Sequence, residues 1–149
     1  MAPDQGWEHF EVEADVGVRA WGGTRATAFA QAALGVLALI VEPSSVAVRE
    51  SRAVRAQAET PETLLAAWVD ECLYVHEIEG FVAGDVEIDE CSDTVVHGRL
   101  LGEPLDPSRH RLGTVVKAAT LHRISVATVG SHHEVRLCLL YTSPSPRDA

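Results

Sequence analysis

The sequence predicts an α+β domain in which two amphipathic helices pack on antiparallel sheet. Three observations carry this. Apolar residues recur at helical spacing in two separate stretches, the segments around them alternate apolar and polar residues with period two, and glycine or proline marks the boundaries. At 149 residues, 46% of them hydrophobic, the chain is most simply one domain with enough apolar side chains for a core. That domain is expected to span residues 1–140.

Trp7 to Val12 and Val16 to Trp21 read as two strands joined through Glu13-Ala14-Asp15. Asp15 stands among small residues at the corner, where a lone aspartate ordinarily caps its own turn. Gly17, close behind, can take backbone angles closed to other residues. Gly22-Gly23 breaks the chain and Thr24 is placed as a helix N-cap. Phe29, Ala32, Ala33, Val36, Leu37 and Ile40 then form one wide apolar stripe, which Glu42-Pro43 ends. Residues 45–58 read as a hairpin, with Val46 and Val48 on one arm and Val54, Ala56 and Ala58 on the other. Thr60-Pro61-Glu62 joins a capping hydroxyl, a proline at the first helical position and an acid at the positive end of the dipole. Leu65, Trp68, Val69, Cys72, Leu73 and His76 are the buried stripe of this second helix, and Gly80 ends it.

Val86 and Ile88 alternate with Asp85, Glu87 and Asp89. An oxygen-rich calcium loop would need glycine at the sixth position, where Glu90 stands, so this is a half-exposed strand with an acidic outer face. Thr94 to Leu100 pairs back across a turn at Ser92-Asp93. Gly102 to Gly113 is the longest irregular stretch, and such loops on rigid scaffolds often carry function. Thr114 to Thr128 is a long β segment that Gly130-Ser131 turns into a last strand, Glu134 to Leu140. Lys117 and His122 lie an odd number of residues apart, so on a regular strand they face opposite sides and a shared site would need a bulge. His122 shares its face with Val116, Ala118, Ile124 and Val126 and is expected in the core, with Lys117 facing out. Residues 141–149, Tyr-Thr-Ser-Pro-Ser-Pro-Arg-Asp-Ala, show no core pattern. They read as a disordered tail that looks foreign to the domain.

The net charge of −10, from 22 acidic against 12 basic residues, repels phosphate backbones and argues against direct nucleic-acid binding. No apolar run approaches the roughly 20 residues of a membrane span, and no charged segment leads into an apolar one as in a signal peptide. Cys72, Cys91 and Cys138 lack metal-type spacing and read as reduced thiols of a cytoplasmic protein. Among the 12 basic residues Lys117 is the single lysine, which suggests a position where a compact, flexible amine matters.

Trp7-Glu8-His9-Phe10 followed by Glu13-Ala14-Asp15-Val16-Gly17-Val18-Arg19 resembles the opening motif of the archease family. Leu64-Leu65-Ala66-Ala67-Trp68-Val69-Asp70-Glu71-Cys72-Leu73-Tyr74, Gly102-Glu103-Pro104 and Val116-Lys117-Ala118-Ala119-Thr120-Leu121-His122 resemble its later signatures, in order and spacing, over about residues 7 to 139. The resemblance implies a duplicated strand–helix–strand–strand fold and a non-enzymatic accessory protein. Its implied partner is the GTP-dependent RNA ligase of the RtcB type, whose guanylylation and repeated turnover it promotes in tRNA splicing and RNA repair. It further implies a divalent cation, calcium in the family, held by the aspartate matching Asp15 and by another in the last strand, with Lys117 matching the family lysine that assists in trans. Val12 stands where the family usually has histidine. Leu140-Tyr141 stands where the family ends in Asp-Ile, so Leu140 replaces the second metal ligand.

A second reading, a chaperone-like protein-binding module, shares the fold without the ligase. A third is a small metal-dependent hydrolase or transferase using Asp15, Lys117 and His122, for which the sequence offers no nucleophile motif and no complete metal cluster.

Overall fold

Two antiparallel sheets hold the two helices. The computed structural model describes residues 4–12 and 15–142, with the side chains of Val12, Asp15 and Thr142 outside that description. The elements run β1 (Gly6–Val12), β2 (Asp15–Gly22), α1 (Arg25–Ala38), a 3-10 turn (Pro43–Ser45), β3 (Glu50–Gln57), α2 (Pro61–Glu79), β4 (Phe81–Cys91), β5 (Val95–Pro104), β6 (Val115–Val129) and β7 (His132–Thr142). One sheet has the order β1-β2-β7-β6 and the other β3-β5-β4.

The strand orders display a duplication. Set β1 aside, and β2-β7-β6 has the same order as β3-β5-β4: first strand, third strand, second strand, with a helix after the first. The unit β3-α2-β4-β5 is therefore inserted between α1 and β6 of the unit β2-α1-β6-β7. Hydrogen bonds close the seam of this insertion. Gly113 N–H donates to the Ile40 carbonyl at 2.7 Å and Thr114 N–H to the Leu39 carbonyl at 3.0 Å. Thus β6 resumes at the end of α1 much as β4 follows α2 across Gly80, whose φ of 61° is a left-handed helix end suited to glycine. A β-bridge between Val41 and Leu112 pins the outgoing chain to the returning one.

The helices tie the units into one core. Each packs on the first strand of its own unit and on the second strand of the other: α1 on β2 and β4, α2 on β3 and β6. Thr24 caps α1 by accepting Thr27 N–H at 3.0 Å, and Thr60 with Thr63 forms a reciprocal capping box on α2. Phe29, Leu64, Leu65, Trp68, Leu100 and Leu137 are fully buried, and Trp68 Nε1–H donates to the Phe29 carbonyl at 3.0 Å, joining the helices. A Cβ on Gly35 would lie 2.8 Å from Val18 Cγ1 and 3.1 Å from Trp7 Cβ, so glycine lets α1 sit close on the sheet. His9 Nε2–H donates to the Gly35 carbonyl at 2.9 Å from the same sheet.

Four segments differ from the sequence reading. Helix α1 stops at Ala38, before Ile40, because the Leu39 and Ile40 carbonyls are given to the returning chain. The hairpin expected over 45–58 is a single strand, β3; its supposed first arm is the end of the 3-10 turn and extended chain whose Ala47 N–H goes to a Glu103 carboxylate instead of a ladder. The loop expected from Gly102 begins only after Pro104, since β5 keeps pairing with β4 through Phe81↔Pro104. Strand β7 runs past Leu140 through Tyr141 and Thr142, which pair with Val116 and Val115; residues 143–149 of the expected tail lie outside the described residues.

Both second strands carry bulges. Pairing skips Gly84 and Asp89 in β4, and Lys117 and residues 121–124 in β6. Arg123, inside the second β6 bulge, has a φ of 59°, a conformation uncommon for a residue with a side chain.

Candidate functional site

The opening motif builds its own platform. Phe10 pairs with Gly17 across β1 and β2, and the far end of the Phe10 ring lies over that glycine: a Cβ there would be 2.3 Å from Phe10 Cζ. Gly17 is not among the positive-φ glycines, so its role is space for an aromatic ring and not the unusual backbone angle expected of it. The Arg136 guanidinium lies 5.6 Å from the ring centroid. On the same face Arg19 binds Glu8 and Glu134, each at 2.7 Å, and lies 4.5 Å from the Trp21 ring centroid. These pairs fix β1, β2 and β7 to one another below residue 15.

Strand register brings residue 15 toward Lys117. Val16 pairs with Leu139, so the backbone of Asp15 is level with Leu140 one step along, and Leu140 pairs with Ala118 beside Lys117. One strand, β7, separates the two positions, a backbone distance of roughly 10 Å at ordinary strand spacing. Glu13 and Ala14 lie outside the described residues, as does the Asp15 side chain. Lys117 is exposed, as expected, and occupies the bulge between Val116 and Ala118.

Lys117 lies at a cleft of about 570 Å³ with apolar walls. Leu73, His76 and Glu77 of α2 form one side, Leu105 and Leu112 of the returning chain the other, and Ile40 lies at the end of α1. His76 is held by a 3.0 Å hydrogen bond from its Nδ1 to the Phe81 carbonyl. Leu112 and Val115 are about half exposed, at 51% and 55%. The bulge is bracketed on both sides. Before it, Gly113 and Thr114 are bonded to the end of α1. After it, the Asp70 carboxylate of α2 accepts Ala119 N–H at 2.8 Å. Burial of that carboxyl against β6 pushes its pKa up, an effect the Ala119 N–H partly offsets.

Behind the returning chain lies a fully buried carboxylate, Glu103. Ala47 N–H and Arg49 reach it from the outgoing chain at 2.8 and 3.2 Å, and Arg109 and His110 from the returning chain at 2.6 and 2.9 Å. His110 Nδ1 accepts Asp106 N–H at 2.9 Å, which leaves Nε2–H to donate to Glu103. Ala47 N–H first, then Arg109 and His110, draw the Glu103 pKa down from 4.5 to about 2.

His122 is not in the core. The 121–124 bulge carries it to the surface, with Leu121 58% exposed beside it and Arg123 Nε donating to His122 Nε2 at 3.3 Å. It does not line the Lys117 cleft. Strand parity assumed a regular ladder that two bulges interrupt. Asp70, Glu103, Arg109 and His110 were missed as site-building residues. A carboxylate between Gly102 and Pro104, followed by Arg109-His110, was the available signal for the Glu103 group.

A hard cation takes about six to eight oxygen ligands. Level with Asp15, the next side chains across the sheet are Leu140, 57% exposed, and Ala118, and neither carries an oxygen. Among the described residues no group of three or more His, Cys, Asp or Glu could hold a metal ion. The cation expected at Asp15 rests on a side chain outside the described residues, and Leu140 and Ala118 add no oxygen beside it. Among the described residues, no helix is long and apolar enough to cross a membrane.

Residues 7–139 match the model of the Archease protein family (MTH1598/TM1083). An archease of Pyrococcus furiosus is 33% identical over 123 residues, covering 80% of this chain and 87% of that protein. One of Sulfurisphaera tokodaii is 36% identical over 131 residues, covering 87% and 94%. The solution structure of Methanobacterium thermoautotrophicum protein 1598 superposes with a TM-score of 0.72 at 31% identity, covering 90% of this chain and 97% of that one. The crystal structure of a Thermotoga maritima archease, described as a possible chaperone, shares the fold with a TM-score of 0.53 at 15% identity. By the matched model, these relatives and the two-sheet α+β architecture, the chain belongs to the Archease protein family.

Proposed function

We propose that this protein is a non-enzymatic activator of a GTP-dependent RNA ligase of the RtcB type, acting in the cytoplasm in tRNA splicing and RNA repair. The observation that supports this is the strand register that sets residue 15 and the bulged Lys117 one strand apart, next to an open apolar cleft. Guanylylation builds negative charge on a transferring phosphoryl group, and a mobile ammonium brought to it stabilises that charge. Lys117 supplies the ammonium in trans; Asp15 supplies a carboxylate on the neighbouring hairpin. The cleft beside Lys117 receives the ligase, and the acidic surface, net charge −10, leaves the RNA to that partner. A divalent cation, calcium in the family, belongs to this proposal as one held weakly at Asp15, since Leu140 stands at the second ligand position and brings no oxygen.

The test is ligase guanylylation in the presence of the purified chain. The chain alone should turn over nothing, and with ligase it should speed guanylylation. Lys117→Ala and Asp15→Ala should abolish the acceleration while keeping the fold. Full acceleration by both variants would refute the site. The chaperone-like reading is favoured instead if the chain suppresses aggregation of a denatured ligase yet leaves guanylylation of a native one unchanged.

A further inference from the structure

We propose that Glu103 is a positioning residue for Lys117, acting as a bolt across the seam where one unit is inserted into the other. Glu103 does not line the cleft, but the chain that follows it does, through Leu105 and Leu112. Its carboxylate oxygens take hydrogen bonds from two stretches distant in sequence: Ala47 and Arg49 on the way out, Arg109 and His110 on the way back. Among the described residues, Glu103 is the one Asp, Glu, Lys or Arg that is fully buried. A buried charge is tolerated where it is fully hydrogen-bonded, and it then enforces one arrangement of the groups around it.

What it enforces reaches Lys117 by a short path. From His110 the chain passes Leu112, bridged to Val41, then Gly113 and Thr114, bonded to Ile40 and Leu39, and arrives at the bulge. A bulge has no ladder partner of its own, so its placement depends on what anchors the chain at each side. Asp70 anchors the far side through Ala119. On the near side the anchors are these seam bonds, and Glu103 fixes both strands of the seam. Loss of the carboxylate frees the returning chain to shift, and Lys117 shifts with it. Glu103 therefore sets the aim of the amine without touching the phosphate.

The importance of Lys117 to activation rests on the function proposed above; the mechanical link does not, and the experiment separates them. Lys117 is the single lysine, so reductive methylation with ¹³C-formaldehyde places one side-chain NMR signal on it, beside that of the α-amine. In folded Glu103→Gln this Lys117 signal should move or broaden. With unmodified protein, the maximal ligase acceleration should fall about tenfold or more, as small misplacements of reacting groups do. The concentration giving half-maximal acceleration should hold within about twofold, because the cleft remains. An unmoved Lys117 signal in the folded variant overturns the proposal. So does a loss of acceleration that only follows the unfolded fraction. If Glu103→Gln does not fold, Arg109→Ala removes one bolt contact from a half-exposed residue and is read the same way, with Arg109→Lys restoring the signal. If the wild-type chain accelerates no ligase, the functional reading fails while the NMR signal still decides the mechanical link.

Discussion

Replacing Gly17 with alanine should destabilise the protein through one identifiable collision. The added Cβ would lie 2.3, 2.6 and 2.8 Å from Phe10 Cζ, Cε1 and Cε2. Carbon pairs prefer about 3.5–4.0 Å, so the ring has to retreat by roughly 1 Å or more. The strand cannot yield in its place, because Gly17 pairs with Phe10 on one side and Cys138 on the other. Overpacking of this kind costs about 1–3 kcal/mol, and the retreat also weakens the approach of Arg136 to the ring. Against this, alanine restricts the unfolded chain, worth about 0.4–1 kcal/mol in the stabilising direction. The net expectation is a loss of about 1–2 kcal/mol, or roughly 2–8 °C in Tm for a chain of this size. Urea unfolding of the single and double variants decides it. In a Phe10→Ala background, Gly17→Ala should be neutral or slightly stabilising, giving a coupling of about 1 kcal/mol or more. A coupling near zero would refute the role assigned to this glycine.

Three further outcomes are expected. The Glu103 carboxyl is held at about 2 when folded and titrates near 4.5 when free. Its contribution is therefore fully present above pH 4.5 and lost as pH falls toward 2; urea midpoints should drop between pH 5 and 2.5 more steeply in wild type than in Glu103→Gln, and parallel curves would contradict this. Trp68→Phe removes the Nε1–H donor to Phe29 in a fully buried place and should cost about 1–3 kcal/mol in chemical denaturation, with a loss under about 0.5 kcal/mol counting against the bond. Leu140→Asp changes a side chain 57% exposed and should alter stability by no more than about 0.5 kcal/mol without calcium. Excess calcium should then raise the Tm of Leu140→Asp by several degrees through ligand linkage and leave wild type unmoved; equal shifts in both would deny a shared site with residue 15.

Where local signals agree, the fold was readable from the chain. The helix starts at Thr24 and Thr60 and the stop at Gly80 rest on capping chemistry within a few residues, and all three appear in the structure. The strands from Phe81 onward were carried by period-two alternation and by turns at Ser92-Asp93 and Gly130. What could not be read were features set by distant partners. Residues 45–58 imitate a hairpin because Val46 and Val48 alternate, yet Ala47 is bonded to Glu103, 56 positions away. His122 was assigned to the core by a parity count that fails when four residues loop out of β6. At the candidate site, Lys117 stood out by composition, and its expected exposure agrees with the structure. The Glu103 group did not stand out, since its importance lies in donors gathered from both sides of an insertion.

The paired bulges at Gly84 and Lys117 have very different surroundings. A side chain at Gly84 would press on the carbonyls of Val46 and Pro43, 3.1 and 3.2 Å from its Cβ, because the departing chain folds down over that spot. The homologous spot on β6 is left open, framed by the chain coming home. Two near-copies of one building block thus acquire unequal fates from the path of the backbone alone: one is roofed, the other becomes a porch. Grafting a lysine onto the roofed copy would gain no second workplace, and symmetry in the sheets is no guide to how many working ends such a molecule can have.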